Sequence, residues 1–388
     1  MIKLFYKFGS SKIVIFLMTL SPKWFIRIVL KLIATRFRNI ANHRNFPHRL
    51  TFFVTNRCNL HCAHCFFSSE VNKKMPHLSV DNISAIATSL RSITKQLVIT
   101  GGEPLLREDL AEICRIFALK TGLNEITIIS NGSLPDKTQL LVEQSSRHGI
   151  TLHFQISIDG VSSFHDANRG KVGAFDNAFE TINLLKQKKK KGYRIGRIVT
   201  ATAISNANFA DLPKLIEWFK DNQIDALFTF VRDTPKIVFG LDDKRLLNDF
   251  SPSKPNLCLD RSSVQQCLEL LTDQYWSKVK PSLLSLLNRA TLQMMYEKQA
   301  LGVPCTGGLA DVVVFSDGQV APCEMVKPFA TLGDFDYDFR RLWNTKYPEY
   351  QRKLRNCRCL HDCNISSYYK LHLEQLVDSL DIFRNISR

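Results

Sequence analysis

Three cysteines near residue 60 have the spacing of metal ligands. The segment CNLHCAHC places Cys58, Cys62 and Cys65 within eight residues, and cysteine thiolates are common ligands of zinc and of iron-sulfur clusters. Structural zinc usually takes four ligands, so a zinc site here would recruit His61 or His64 as the fourth. A 4Fe-4S cluster usually takes four cysteines, so three of them leave one iron open to a substrate or cofactor. The spacing therefore indicates a metal centre, and an open iron indicates reactive chemistry.

A second group of cysteines lies near the C-terminus. Its members are Cys305, Cys323, Cys357, Cys359 and Cys363. Eight of the eleven cysteines fall in these two groups, and such clustering in a long chain favours metal binding in a reducing compartment over disulfides. The other three, Cys114, Cys258 and Cys267, show no partner spacing. Cys114 sits in a helical apolar pattern and is predicted to pack in the core.

The elements that position the first group are alternating strands and helices. Apolar runs rich in β-branched residues occupy 50–55, 96–100, 125–130, 151–158, 196–203 and 225–231. Helical patterns fill the gaps between them, at 81–90, 108–119, 136–148, 175–188 and 211–221. This order predicts parallel strands joined by helical crossovers, that is, an α/β fold with a partial six-stranded barrel. Its chemistry is expected at the carboxyl ends of the strands, where CNLHCAHC follows the first strand.

Polar motifs follow the later strands. GGEP at 101–104 comes directly after the second strand, and its two glycines permit a close backbone approach while Glu103 offers a carboxylate to an ammonium group. Ser130 and Asn131 follow the third strand, and SIDG at 157–160 ends the fourth.

Together these motifs resemble those of the radical S-adenosylmethionine (SAM) superfamily over roughly residues 50–231. The resemblance implies a 4Fe-4S cluster on Cys58, Cys62 and Cys65, and SAM bound at the open iron. The reduced cluster would then cleave SAM to a 5′-deoxyadenosyl radical, which takes a hydrogen atom from an unreactive C–H bond. The residues that the resemblance assigns to SAM are His64, Gly101, Gly102, Glu103, Pro104, Ser130, Asn131, Ser157, Asp159 and Arg169.

Within that set the resemblance implies separate roles. The GGEP segment binds the amino group of SAM, Ser130 and Asn131 lie near the ribose, and SIDG with Arg169 contacts ribose and carboxylate. His64 occupies a position that is often Phe, Tyr or Trp in this family and packs on adenine, and an imidazole can also stack there.

The second cysteine group is similar to the SPASM or shorter twitch module of the same superfamily. The matching elements are Cys305, the segment from Gly318 to Cys323, and a distal CxxxC. A full SPASM module has seven cysteines for two clusters, so five cysteines predict one auxiliary 4Fe-4S cluster. Its ligands would be Cys305, Cys323 and Cys363, with the fourth from Cys357 or Cys359. A structural zinc with four cysteines is the alternative.

Charge is concentrated at the N-terminus. The chain has 52 Lys and Arg against 36 Asp and Glu, but residues 1–49 hold ten of the basic residues and no acid. The small excess elsewhere gives no reason to expect a nucleic-acid partner. Residues 13–38 combine a basic stripe with a wide apolar face, which predicts an amphipathic helix on an anionic membrane surface or, alternatively, one packed on the protein.

These observations predict four regions. Residues 1–48 form the basic amphipathic segment, 49–232 the core barrel, 233–300 an irregular and helical connection, and 301–388 the SPASM/twitch-like module with a C-terminal helix. The protein is expected to be cytoplasmic, peripheral at the inner membrane face, and supplied with electrons by a reductant such as flavodoxin or ferredoxin.

The leading functional hypothesis is oxidation or tailoring of a lipid-linked or small metabolite. Modification of a ribosomally made peptide, as in thioether or C–C crosslinking, is the first alternative. The second is a non-catalytic iron-sulfur or zinc scaffold that keeps the fold.

Overall fold

The computed structural model describes residues 46–231 and 257–277, five positions between 285 and 292, and residues 307–354 except 309 and 325. The predicted N-terminal helix, most of the connection and the predicted C-terminal helix lie outside these residues. So do four cysteines of the second group, Cys305, Cys357, Cys359 and Cys363.

A single mixed sheet forms the framework of the larger of two compact units, which comprises residues 46–258 and 307–357. Its strands are β1 Arg49–Thr55, β2 Gln96–Gly101, β3 Glu125–Ser130, β4 Thr151–Ser157, β5 Ile195–Ile204, β6 Asp225–Phe230, β7 Asp311–Val314, β8 Gln319–Ala321 and β9 Ala330–Thr331. The strand order is β6-β5-β4-β3-β2-β1-β7-β8-β9. The first six strands pair in parallel in chain order, so the predicted α/β fold with a partial barrel is confirmed.

Helices connect these strands as predicted. They are α1 Val80–Ser89, α2 Leu110–Thr121, α3 Pro135–Arg147, α4 Ser163–Arg169, α5 Ala174–Lys190 and α6 Leu212–Asp221, with α7 Arg261–Leu270 and α8 Phe339–Leu354 later in the chain. Each of the five predicted crossover helices is present. The helix α4 was not predicted, because its seven residues are too few to show an apolar period.

Local sequence explains where the helices begin and end. Ser79 and Asn82 form a capping box at the start of α1, and Gly122 ends α2 in the left-handed conformation at φ 75°.

Two lysines near the end of α5 contact other parts of the protein. Lys186 donates to the carbonyl of Asn222 at 2.7 Å, and Lys188 pairs with Glu143.

The core lies between the sheet and its helices. Alternate residues of β4 are buried, namely Leu152, Phe154 and Ile156, as expected for a strand whose two faces differ in environment. Phe52 of β1 packs edge-on against Phe117 of α2 at a centroid distance of 5.9 Å. The predicted core position of Cys114 is confirmed, since this side chain is completely buried.

A hairpin around Asp317 and Gly318 extends the barrel sheet. The strand β7 pairs antiparallel with β8 and also parallel with β1, so Leu50 lies opposite Val312. Gly318 has a φ of 88°, which suits glycine in a tight turn. Phe315, just after β7, packs against Phe53 of β1 at 5.1 Å. The hairpin therefore continues the sheet that carries the first cysteine group.

The second compact unit comprises residues 1–45, 259–306 and 358–388. Its described part consists mainly of α7 and a π-helical turn over Leu271–Trp276, with the Arg289 guanidinium 5.8 Å from the Trp276 ring. Among the described helices, none combines the length and the apolar character needed to cross a membrane.

Candidate metal centre and cofactor site

The three cysteines of the first group lie on the loop between β1 and α1. Cys58, Cys62 and Cys65 are half-buried and free of disulfides. The loop is closed at its base by Arg107, which donates to the carbonyls of Val54 and Leu78 at 2.7 Å each. Both ends of the cysteine loop are therefore fixed to one guanidinium group.

Asparagine side chains hold the loop from within. Asn72, at φ 60°, accepts from the Cys58 N–H at 2.9 Å and donates to the Cys58 carbonyl at 3.0 Å. Asn56 donates to the carbonyls of Glu70 and Lys73, and its side-chain oxygen lies 2.8 Å from Nε2 of His77. These contacts fix the backbone that presents the first thiol.

The end of α4 holds the middle of the same loop. The N–H groups of His61 and Ala63 donate to the carbonyls of Arg169 and Asn168, each at 3.0 Å. Gly170 follows α4 without a side chain, and a Cβ there would lie 2.8 Å from the His61 carbonyl oxygen. This two-bond ladder places Cys62 between two residues whose backbone is anchored.

Two side-chain donors approach the sulfur atoms. Nη1 of Arg169 lies 3.6 Å from Sγ of Cys62, and Nδ2 of Asn131 lies 4.0 Å from Sγ of Cys58. Burial raises the pKa of the Cys58 thiol to about 11, so this thiol is neutral at pH 7 unless a metal binds it.

This donor set fits an iron-sulfur cluster. It provides three unbridged thiols on one anchored loop and N–H groups directed at two of the sulfurs, and hydrogen bonds to cluster sulfurs are a usual feature of such sites. Within the described residues, no three His, Cys, Asp or Glu side chains converge closely enough to share a single metal ion.

The glycines of GGEP pack against the first strand and the cysteine loop. A Cβ on Gly101 would lie 2.2 Å from the Thr55 carbonyl oxygen, and one on Gly102 would lie 2.3 Å from that of Arg57. The N–H groups of Gly102 and Glu103 donate to these same two carbonyls, at 2.9 and 2.7 Å. The close approach inferred from the sequence is thus an approach of the chain to its own backbone, with buried Pro104 continuing the turn.

Glu103 is completely buried at the carboxyl ends of β2 and β3. Its Oε1 accepts from the Ser130 hydroxyl at 3.0 Å and from the Leu105 N–H at 3.1 Å, and its Oε2 accepts from the Asn131 N–H at 2.7 Å. Burial raises the pKa of this carboxyl to about 7 despite the three donors. A cation beside it would favour the charged form.

The SIDG segment contributes a second buried carboxylate. Asp159 accepts from Nη2 of Arg169 at 2.7 Å, and Nε2 of His64 lies 3.5 Å from the same oxygen. The structure therefore brings His64, Asp159 and Arg169 together beside the cysteine loop. Ser157 is half-buried at the end of β4, opposite Ala201 of β5.

In the second cysteine group, the described member is Cys323, which forms no disulfide and is half-buried shortly after β8. Cys267 is completely buried in α7, and Cys258 is half-buried. These observations leave the ligand set of an auxiliary centre as a prediction.

Several residues of the site were not predicted from the sequence. Asn56, Asn72, His77, Arg107 and Asn168 carry the hydrogen bonds that shape the loop. The sequence offers one weak signal, which is that asparagine tolerates the left-handed conformation seen at Asn72 better than most residues.

Comparison with known proteins shows which family the barrel region resembles. Residues 52–219 match the model of the radical SAM superfamily. The "AdoMet-dependent heme synthase" of Methanosarcina barkeri is 28% identical over 339 residues, which are 84% of this chain and 90% of that protein. The "antilisterial bacteriocin subtilosin biosynthesis protein AlbA" of Bacillus subtilis is 24% identical over 347 residues, 84% of this chain and 67% of that protein.

A solved structure shares the fold. The structure of anSMEcpe with bound AdoMet and the Kp18Cys peptide has a TM-score of 0.58 at 16% identity, over 86% of this chain and 98% of that chain. The sequence motifs, the fold and the family match agree that residues 52–219 of this enzyme are a radical SAM domain.

Proposed function

We propose that this enzyme holds a 4Fe-4S cluster on Cys58, Cys62 and Cys65, binds SAM beside it, and abstracts a hydrogen atom from a substrate in an oxidation or tailoring reaction. When bound, the reduced cluster supplies the electron that cleaves SAM to methionine and a 5′-deoxyadenosyl radical. The observation that carries this proposal is the anchored loop at the carboxyl end of β1, with three cysteines that form no disulfide.

The residues around the cysteine loop support SAM binding at the carboxyl ends of the parallel strands. Glu103 is the partner for the amino group, because a buried carboxyl with a pKa near 7 gains from a nearby ammonium ion. Arg169 is the partner for the carboxylate, since its Nε is buried and makes no hydrogen bond within the described residues.

The remaining assignments to SAM follow from position. The ribose and adenine would be held at the carboxyl ends of the strands and by the cysteine loop. The strand ends carry Ser130, Asn131 and Ser157, and the loop carries His64. The backbone of GGEP provides the other polar atoms, from Gly101 to Pro104.

An auxiliary 4Fe-4S cluster is the second part of the proposal. Its ligands are Cys305, Cys323, Cys363 and one of Cys357 and Cys359. Support comes from Cys323, which forms no disulfide, and from the shared fold with anSMEcpe. Iron analysis after anaerobic reconstitution tests it: Cys323→Ala should lose about half of the iron if each cluster holds four irons, whereas Cys114→Ala should retain it. Zinc in the wild-type protein would contradict this part.

The substrate is a small or lipid-linked metabolite. The heme synthase of Methanosarcina barkeri supports a small metabolite, because the alignment spans most of both proteins. The biosynthesis protein AlbA supports the second candidate, a ribosomally made peptide. Tetrapyrroles, lipid-linked metabolites and peptides should be compared for the amount by which each accelerates 5′-deoxyadenosine formation. If only peptides accelerate 5′-deoxyadenosine formation, a ribosomally made peptide becomes the first candidate substrate and a metabolite the second.

The proposed location is the cytoplasmic face of a membrane, reached through residues 13–38, with flavodoxin or ferredoxin as the reductant. The basic and amphipathic pattern of that segment supports an anionic lipid surface. Co-sedimentation with anionic liposomes should disappear when residues 1–38 are deleted, and its persistence would contradict the anchor.

The central activity is tested with dithionite and SAM under anaerobic conditions. Reconstituted wild-type enzyme should form 5′-deoxyadenosine and methionine. The variant Cys58→Ala/Cys62→Ala/Cys65→Ala should form neither, while Cys114→Ala, a change in the core, should remain active. A wild-type protein that holds its clusters and makes no 5′-deoxyadenosine would contradict the proposal.

A further inference from the structure

Asp159 is the centre of a buried polar network. It lies two residues beyond β4, and its side chain is inaccessible to solvent. Its Oδ2 accepts from Nη2 of Arg169 at 2.7 Å and from Nδ2 of Asn168 at 3.0 Å, and Nε2 of His64 lies 3.5 Å away. Its Oδ1 accepts from the N–H of Ala203 at 3.0 Å. Most of the acceptor positions of this carboxylate are thus used by the protein itself.

The carboxylate is ionised in this environment. Burial alone would raise the pKa of Asp159, but Arg169, His64, His165 and the Ala203 N–H together lower it below its ordinary value. Asp159 and Arg169 form an ion pair beside the cysteine loop.

Arg169 connects this pair to a cysteine. One end of its guanidinium contacts Asp159, and Nη1 at the other end lies 3.6 Å from Sγ of Cys62. The guanidinium is planar and rigid, so fixing one nitrogen on a carboxylate fixes the direction of the others. The ladder from α4 to His61 and Ala63 keeps the sulfur in register with this donor.

A cation and an N–H donor at a cluster sulfur stabilise the more negative, reduced state of the cluster. Hydrogen bonds to the sulfurs and nearby charge are among the main determinants of the reduction potential of a cluster. Residues that orient such hydrogen-bond donors also affect the potential, although they do not contact the cluster. We infer that Asp159 is a positioning residue that does not contact SAM and that, through Arg169, raises the reduction potential of the cluster on Cys62. This inference rests on the proposed function, and it replaces the contact with SAM that the family resemblance implies for Asp159.

The sign of the change in reduction potential shows whether Asp159 acts by orienting Arg169 or only as a negative charge near the cluster. Removing a carboxylate near a cluster would by itself favour reduction and make the midpoint potential more positive. Loss of the orientation of Arg169 makes the potential more negative. The two explanations of Asp159 therefore predict opposite shifts for Asp159→Asn.

The experiment is an EPR-monitored redox titration of the reconstituted enzyme. The variants are Arg169→Gln, Asp159→Asn and the double variant, with Glu143→Gln as a control that breaks the ion pair to Lys188 at the outer helices. We expect more negative midpoint potentials for both single variants, no further shift in the double variant, and no change in the control. A positive shift for Asp159→Asn, or additive shifts in the double variant, would overturn the inference.

Two measures keep the test decisive. The double variant leaves no buried charge unpaired, and Arg169→Lys keeps a cation without the planar fork, so it should show a smaller negative shift if Arg169→Gln fails to fold. Iron content is measured for every variant. A wild-type enzyme without a SAM-dependent cluster would refute the proposed function, whereas a normal wild-type cluster with unchanged potentials in all variants would refute this inference alone.

Discussion

The side chain of Asn72 forms a two-way hydrogen-bonded pair with the backbone of Cys58. The Cys58 N–H donates to Asn72 Oδ1 at 2.9 Å, and Asn72 Nδ2 donates back to the Cys58 carbonyl at 3.0 Å. Since Cys58 immediately follows the turn after β1, this pair determines the direction in which the first thiol is presented.

We predict that Asn72→Gly weakens cluster retention. Glycine accepts the φ of 60° at this position, so the change removes the two hydrogen bonds without backbone strain. Their loss costs about 2 kcal/mol, which is roughly thirtyfold in a binding constant. Iron per chain after reconstitution and desalting measures the effect. Asn222→Gly, which removes a side-chain bond at the end of α6, is the control and should retain iron; equal iron in both variants would contradict the prediction.

Gly102 is predicted to be intolerant of any side chain. A Cβ there would lie 2.3 Å from the Arg57 carbonyl oxygen, which is backbone and accepts from Glu103. Gly102→Ala should therefore cost about 3 kcal/mol of stability. Gly122→Ala meets no atom within 4 Å but must adopt a φ of 75°, so it should cost only about 1 kcal/mol. Urea denaturation of the two variants should show this order, and the reverse order would be inconsistent with it.

Glu103 should make the stability of the apoprotein depend on pH. Its pKa is raised from 4.5 to about 7 in the folded chain, so between these values the folded state binds the proton that the unfolded chain has lost. Stability contributed by the protonated carboxyl is therefore complete below pH 4.5 and lost as pH rises through 7, by about 3 kcal/mol in total. Glu103→Gln should abolish this part of the profile in urea denaturation between pH 4 and pH 8. Parallel profiles of wild type and variant would show that the carboxyl is not buried as described.

The parallel order of β1 to β6 could be predicted from the sequence, because each of these strands is a short apolar run and each crossover shows the apolar period of a helix. The sequence also indicated the cysteine loop and GGEP, since both lie directly after a strand. The helix α4 was missed, although Arg169 at its end was noted, because seven residues carry too little periodicity. The hydrogen bonds of Asn72 and the joining of β7 to β1 depend on long-range contacts that no local pattern encodes.

For Glu103 and Asp159 too, the sequence predicted the position of the residue but not its hydrogen-bond partners. Their positions after strands predicted polar functional groups, and the structure places both there. Their bonds to Ser130, Asn131 and Arg169 could not be predicted from spacing, because these partners lie on neighbouring strands or on α4.

The most direct test of the account is the EPR spectrum of the dithionite-reduced, reconstituted enzyme with and without SAM. The proposed function places SAM at an iron that has no cysteine ligand, so addition of SAM should change the spectrum of one cluster. The variant Cys58→Ala/Cys62→Ala/Cys65→Ala should lack that cluster's signal. A wild-type spectrum unaffected by SAM, or a SAM-sensitive signal that persists in the triple variant, would contradict the assignment of the three cysteines.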